Sequence, residues 1–191
     1  MLSGSAHHER RTPVPADGRF RAGSTTETFV ATVVLQLAAE GRLGLDDPVE
    51  RHLPGLLPDG DRITVRTLLQ HTSGLVNHTG LLAGVDPAEL PTSLPGDRVN
   101  LPPPHAHGYA RIGGQVVNVT HLNPPVASSA GELVSTTADL DRFLDALLDG
   151  RLLPPALLAE VKRTTAASLS SAPGPGELLG LQEAAGTVFC D

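Results

Sequence analysis

The residues of this sequence that could do chemistry begin with Ser24 and, three positions later, Glu27. A serine hydroxyl becomes a nucleophile when a base lies within hydrogen-bond reach and donors stabilise the developing oxyanion. Thirteen of the 14 basic residues are Arg, so Lys162 is the only candidate catalytic amine, and we expect it on a helix far from Ser24. A pair of Ser24 with one of the eight His residues stays open, although the sequence contains no Gly-x-Ser-x-Gly elbow.

The same spacing has a structural interpretation. In a helix capping box the Ser24 hydroxyl accepts from the Glu27 amide, and the Glu27 carboxylate accepts from the Ser24 amide. Because this pattern commonly caps helices, we favour the capping box over a working nucleophile.

Histidines suggest a second kind of chemistry, metal binding. His105 and His107 are two residues apart and His121 follows nearby, but this is not a zinc-ligand spacing, and no Cys or His-Glu-x-x-His motif accompanies it. A proline-rich surface loop explains them better, so we expect no metal and no cofactor. The acidic pairs Asp46-Asp47 and Asp139/Asp141 lie at helix starts, where carboxylates are favoured as caps.

Composition limits the classes of protein that remain. With 191 residues and 40% hydrophobic residues, the chain can form one domain, 1–191, with its own core. The net charge of -7 and the scattered Arg residues argue against nucleic-acid binding. No apolar run approaches the roughly 20 residues of a membrane span. The first residues contain no apolar signal segment, so we expect the cytoplasm by default.

Hydrophobic spacing predicts the elements that must position these residues. We predict a helix from Ser24 stopped by Gly41, and a strong helix that starts at Thr136 and ends before Gly150. Shorter elements are a helix with Asp47 as N-cap and Pro48 first, a helix over 65–71 capped by Thr64, a helix opened by Pro154-Pro155, and strands at 115–119 and within 178–189. We expect 1–17 to be disordered and 80–104 to be a long irregular loop.

Three stretches resemble class C β-lactamases and D-alanyl-D-alanine carboxypeptidases. They are Phe20-Arg21-Ala22-Gly23-Ser24 running into Phe29-Val30-Ala31-Thr32, the segment from Ile63 through His71-Thr72-Ser73-Gly74 to Leu75, and Ala130-Gly131-Glu132-Leu133-Val134-Ser135-Thr136. His105-Ala106-His107-Gly108-Tyr109 and the region from Asn123 to Ser135 also resemble carboxypeptidase-type members. The similarity runs from about Gly18 onward, with gaps.

The resemblance implies a serine hydrolase site, from which this chain departs. In that family Ser-x-x-Lys opens a helix, and a Tyr-x-Asn loop and a Lys- or His-Thr-Gly strand complete the pocket. Ser24 matches the nucleophile, but Glu27 takes the place of the lysine. A carboxylate there is stabilised in its charged form by the helix dipole, which lowers its basicity, and it would repel a substrate carboxylate.

The other two motifs are missing from their places. Tyr109, the only tyrosine, is followed by Ala110 and Arg111. His78-Thr79-Gly80 matches by letters but precedes the position that the family gives it. We interpret 80–104 as the junction of an internal deletion and the C-terminus as truncated.

The resemblance therefore implies an α+β fold of the β-lactamase/transpeptidase type, dominated here by helices and with an incomplete antiparallel sheet. We expect a catalytically impaired homologue, a pseudoenzyme that binds a small molecule or peptide if its pocket survives. The alternative is a residual peptidase, β-lactamase or esterase that uses Ser24. Apolar surface left uncovered by lost strands would favour self-association.

Overall fold

The computed structural model describes residues 13–75, 101–112, 114–118, 120 and 128–163. Their helices are α1 (Thr25–Ala39), α2 (Val49–His52), α3 (Val65–Leu69), α4 (Thr137–Leu148) and α5 (Pro155–Val161). Their strands are β1 (Phe20–Arg21), β2 (Tyr109–Ile112), β3 (Gln115–Asn118) and β4 (Val134–Ser135). A 3-10 turn, Ser128–Ala130, precedes β4. The α+β class with dominant helices and a small antiparallel sheet is confirmed.

The chain divides into two compact units, with boundaries inside α1, after Thr26, and inside α4, after Asp145. The sheet unit holds the described residues before Glu27 and those from 101 to 145. The helical unit holds those from 27 to 75 and from 146 to 163.

The sheet unit contains all four described strands. β1 pairs antiparallel with β4, with Phe20 opposite Ser135 and Arg21 opposite Val134. β2 and β3 form an antiparallel hairpin that reaches from the Tyr109/Asn118 pair to the Ile112/Gln115 pair. The predicted strand at 115–119 is confirmed as β3.

The segment before α1, residues 19–22, is hydrogen-bonded on both sides within the sheet unit. On one side the Arg19 amide donates to the Pro104 carbonyl over 2.9 Å, and Arg19 forms a parallel bridge with His105. On the other side the Ala22 amide donates to the Leu133 carbonyl over 2.8 Å. Backbone hydrogen bonds on both sides therefore fix the approach to α1.

Aliphatic side chains form the core of the helical unit, as the scarcity of aromatic residues requires. Leu35 of α1, Leu147 of α4 and Val161 of α5 are almost wholly buried. The Gln36 side-chain amide also donates to the Leu152 carbonyl over 3.1 Å. The predicted helices thus pack through their apolar stripes, while Val30 and Val33 of α1 remain exposed.

Helix ends follow the predicted signals with two corrections. The Thr64 hydroxyl accepts from the Thr67 amide, and the Thr67 hydroxyl accepts from the Thr64 amide, so Thr64 is confirmed as a cap. The helix that it caps ends at Leu69, because the backbone φ of His71 is 55° and cannot continue a right-handed helix.

The second correction concerns α2, whose N-cap is Pro48 and not Asp47. The Asp47 carboxylate accepts instead from the Gly44 amide at 2.7 Å and from the Arg51 side chain at 2.8 Å, and His52 Nε2 lies 3.0 Å away. Asp47 therefore closes the loop before the helix.

Several predictions lie outside the described residues: 1–12 of the N-terminal segment, 80–100 of the long loop, His78-Thr79-Gly80, His121 and the strand within 178–189. At 13–17 the Gly18 amide closes a turn by donating to the Pro15 carbonyl. In the described part of the chain, no helix has the length and apolar character required to cross a membrane.

Candidate functional site

Ser24 lies immediately before α1, at the end of a glycine-dependent turn. Gly23 has a φ of 54°, which L side chains rarely adopt. The Thr25 amide donates to the Ala22 carbonyl over 3.2 Å, and the Thr26 amide donates to the Gly23 carbonyl over 2.9 Å. Backbone hydrogen bonds thus start the helix, and Ser24 is exposed.

Thr26 attaches the start of α1 to the segment that leads into β4. Its side chain is buried, and its hydroxyl accepts from the Leu133 amide over 3.2 Å. In β1, burial of the Arg21 guanidinium lowers its pKa from the ordinary value, although an arginine remains charged at any ordinary pH. The sheet unit therefore holds Ser24 on a backbone that is fixed on both sides.

The capping box predicted for Ser24 and Glu27 stays a prediction. The amides of Thr25 and Thr26 donate to the carbonyls of Ala22 and Gly23, whereas the box would use the amides of Ser24 and Glu27.

Glu27 lies in the first turn of α1 with 26% of its side chain exposed. Its Oε2 is 4.0 Å from Nε2 of His71, whose side chain is 41% exposed. Sequence reasoning missed this neighbour, although His71 belongs to one of the stretches that carry the family resemblance. The signal in the sequence was Glu27 itself, because a carboxylate at that position can attract a nearby imidazole.

The other candidate residues belong to other elements. Lys162 is the exposed C-cap of α5. Tyr109 begins β2.

His105 and His107 form an edge-on ring pair with centroids 5.5 Å apart. His107 Nδ1 lies 3.3 Å from the buried Thr120 hydroxyl, which also accepts from the Gly108 amide. Within the described ranges, no cluster of three or more metal-ligating side chains is present.

Comparison with known proteins places this arrangement in a family. Residues 2–94 match the family model described as Beta-lactamase. The esterase EstB of Burkholderia gladioli is 46% identical over 77 residues, which are 38% of this chain and 20% of the esterase. The chain thus matches about a fifth of the length of such curated relatives.

Solved structures extend the likeness over most of the chain. A D-stereospecific amidohydrolase from a Streptomyces species is 33% identical with a TM-score of 0.76, over 88% of this chain and 72% of that one. A D-amino acid amidase from Ochrobactrum anthropi SV3 is 25% identical with a TM-score of 0.65, over 85% and 65%. These likenesses agree with the position of Ser24 immediately before α1 and with the segment around His71. The chain therefore belongs to the β-lactamase family of serine hydrolases and penicillin-binding proteins.

Proposed function

We propose that this chain is a catalytically impaired member of its family, a protein that binds family-type ligands at the start of α1 without turning them over. The observation that carries the proposal is the pair of residues at that helix start: an exposed serine at the nucleophile position and a carboxylate where the family has its lysine. Only catalysis is impaired in this proposal, and the ligand-binding site is retained.

Catalysis by Ser24 depends on removal of the proton from its hydroxyl. A serine hydroxyl attacks a carbonyl efficiently only when a neighbouring base accepts its proton. A carboxylate is a far weaker base than an amine, and the positive end of a helix dipole favours its charged, unprotonated form further. Glu27 therefore supports proton removal from Ser24 poorly.

Two further features agree with impairment. No Tyr-x-Asn motif occurs in the sequence, and the single lysine, Lys162, is the exposed C-cap of α5. Each feature removes a group that the family uses around its nucleophile.

The ligand class follows from the relatives. One relative is named a D-stereospecific amidohydrolase and another a D-amino acid amidase, and the family model is that of β-lactamases. Compact amides and β-lactams are therefore the ligands to examine first.

A second candidate, a residual serine hydrolase, is favoured by one observation. Ser24 is exposed and follows a turn at Gly23 that is held by backbone hydrogen bonds. An exposed serine immediately before a helix is accessible to an acyl donor.

Turnover assays separate the two candidates. Full-length wild type, Ser24→Ala, Glu27→Lys and the matched control Ser129→Ala, another exposed serine, are incubated with D-phenylalanine amide, a chromogenic cephalosporin and a short-chain ester. The proposal predicts that the wild type is no faster than Ser24→Ala on any of them. Turnover lost in Ser24→Ala and kept in Ser129→Ala would establish the residual hydrolase instead.

A further inference from the structure

We propose that the outer edge of strand β3 pairs with the same strand of a second copy of the chain, so that two hairpins join into one antiparallel sheet. This pairing lies within the sheet unit and does not depend on the chemistry at Ser24. An exposed strand whose edge is complementary to itself carries the inference.

β3 is accessible on both of its faces. All residues from 114 to 118 are exposed. Val116 and Val117, which lie on opposite faces of the strand, retain 41% and 39% exposure. Of the described strands, only β2 pairs with β3. Within the described part of the chain, the side of β3 away from β2 is therefore an open edge of the sheet.

The register of the hairpin shows which backbone groups lie on this edge. Ile112 and Gln115 close a two-residue turn, so they exchange backbone hydrogen bonds with each other. Hydrogen-bonded and non-hydrogen-bonded pairs alternate along an antiparallel ladder, and the next pair, Arg111 with Val116, is of the second kind. The amide and the carbonyl of Val116 therefore point away from β2, where an incoming strand can bond them.

A second copy fits this edge in one register. Thr120 is only 3% exposed, so the accessible edge runs from 114 to 118 and its centre is Val116. A two-fold axis through Val116 pairs the whole of this edge, with Gln115 opposite Val117 of the second copy. The two Val116 residues would then exchange amide-to-carbonyl hydrogen bonds across the axis, as an isologous contact requires.

The chemistry of β3 favours its own copy over a charged strand. Sheet edges are commonly protected from pairing by charged residues, by proline or by a bulge. The sequence of β3, Gln-Val-Val-Asn, contains no charged residue and no proline. Self-pairing therefore opposes no like charges and places β-branched valines together, whereas a charged strand would find no opposite charge on β3.

The ends of the edge also fit a second copy. In the same register Asn118 faces Gly114 of the other chain. A Cβ atom built on Gly114 would meet nothing within 4 Å, so this position leaves space beside it. The Asn118 side chain can therefore keep its hydrogen bonds from the Thr120 amide and hydroxyl within its own chain.

Sedimentation velocity of the full chain tests the pairing. Wild type should dimerise as its concentration rises. Val116→Lys should weaken dimerisation at least about tenfold, because the two-fold axis brings two ammonium groups opposite each other. Ser129→Lys makes the same change in charge at another exposed residue of the sheet unit and should dimerise like wild type. An equimolar mixture of Val116→Lys and Val116→Glu should recover dimers that neither variant forms alone.

Amide hydrogen exchange of the wild type tests the same edge without any variant. The Val116 amide should exchange at least about tenfold more slowly in the dimer than in the monomer. The Val117 amide, which faces β2, should exchange equally in both. A monomer at every concentration, dimerisation that Val116→Lys leaves intact, a mixture that stays monomeric, or a Val116 amide insensitive to dimerisation would each overturn the inference.

Discussion

At the scale of single residues, one side chain changes what the start of α1 can do. Ser24 is exposed on a fixed backbone, but its reactivity depends on the group that takes its proton. With glutamate at position 27, the same helix start offers a negative charge and a weak base. The proposed impairment follows from this replacement.

Arg66 joins two carboxylates of the helical unit. Its Nε and Nη2 donate to both oxygens of Asp46 at 2.8 and 3.1 Å, and its Nη1 donates to Glu160 at 2.9 Å. We predict that Arg66→Ala lowers the free energy of unfolding by about 1–2 kcal/mol, since the Arg66 side chain is only 25% exposed and Glu160 would keep only Arg163 as an ion-pair partner. Urea denaturation measures the loss, and the exposed Arg62→Ala should change it by less than about 0.5 kcal/mol.

Asp47 makes a pH-dependent contribution to the free energy of unfolding. The hydrogen bond from the Gly44 amide, followed by that from His52, lowers the pKa of the Asp47 carboxyl below its ordinary value. A lowered pKa stabilises the fold above the unfolded value of about 3.9, and this contribution is lost as pH falls through the folded value.

We therefore predict that Asp47→Asn destabilises the chain most at neutral pH, and that the difference from wild type shrinks below about pH 4. Urea midpoints of both proteins between about pH 3 and pH 7 would show this. A constant difference across that range would contradict the assigned hydrogen bonds.

At the scale of elements, α3 shows how a short helix depends on its cap. It has only five residues, none of them buried, and its first turn is closed by the reciprocal bonds of Thr64 and Thr67. We predict that Thr64→Ala costs about 1 kcal/mol of unfolding free energy. Thr137→Ala, at an exposed position that begins α4, is the matched control. Equal effects of the two changes would show that the cap does not stabilise α3.

Helices were predictable from the sequence and strands mostly were not. The stripes of α1 and α4 and the caps at Thr64 and Thr136 are local signals, because the partners of each bond lie within four residues. β1 and β4 are two residues long, and their pairing joins segments more than 100 residues apart. No periodicity can develop over two residues, so only the fold reveals them.

The candidate site also contains one part that local sequence signals predict and one part that depends on long-range packing. Ser24 and Glu27 were found from the spacing of one motif. The contact between Glu27 and His71 depends on how α3 and the residues after it pack, which no local pattern records. The capping box at Ser24 and Glu27 stays a prediction, and the turn at Gly23 that precedes α1 is not encoded in the Ser-x-x-Glu spacing.

At the scale of the whole molecule, apolar side chains remain on the surface of the described residues. Val33, Leu53 and Leu56 are each more than half exposed. Exposed apolar area favours association, so we predict that the chain self-associates as its concentration rises. Sedimentation velocity over a hundredfold concentration range measures this, and a single monomeric species throughout would refute the prediction.

The central claim is that Ser24 is no longer an efficient nucleophile, and intact-mass spectrometry after incubation with a fluorophosphonate tests it most directly. This reagent reports on an activated serine and does not depend on the natural ligand. If Ser24 is a poor nucleophile, the folded wild type gains no adduct and keeps the mass of the untreated chain. A stoichiometric adduct on the wild type that Ser24→Ala abolishes would contradict it.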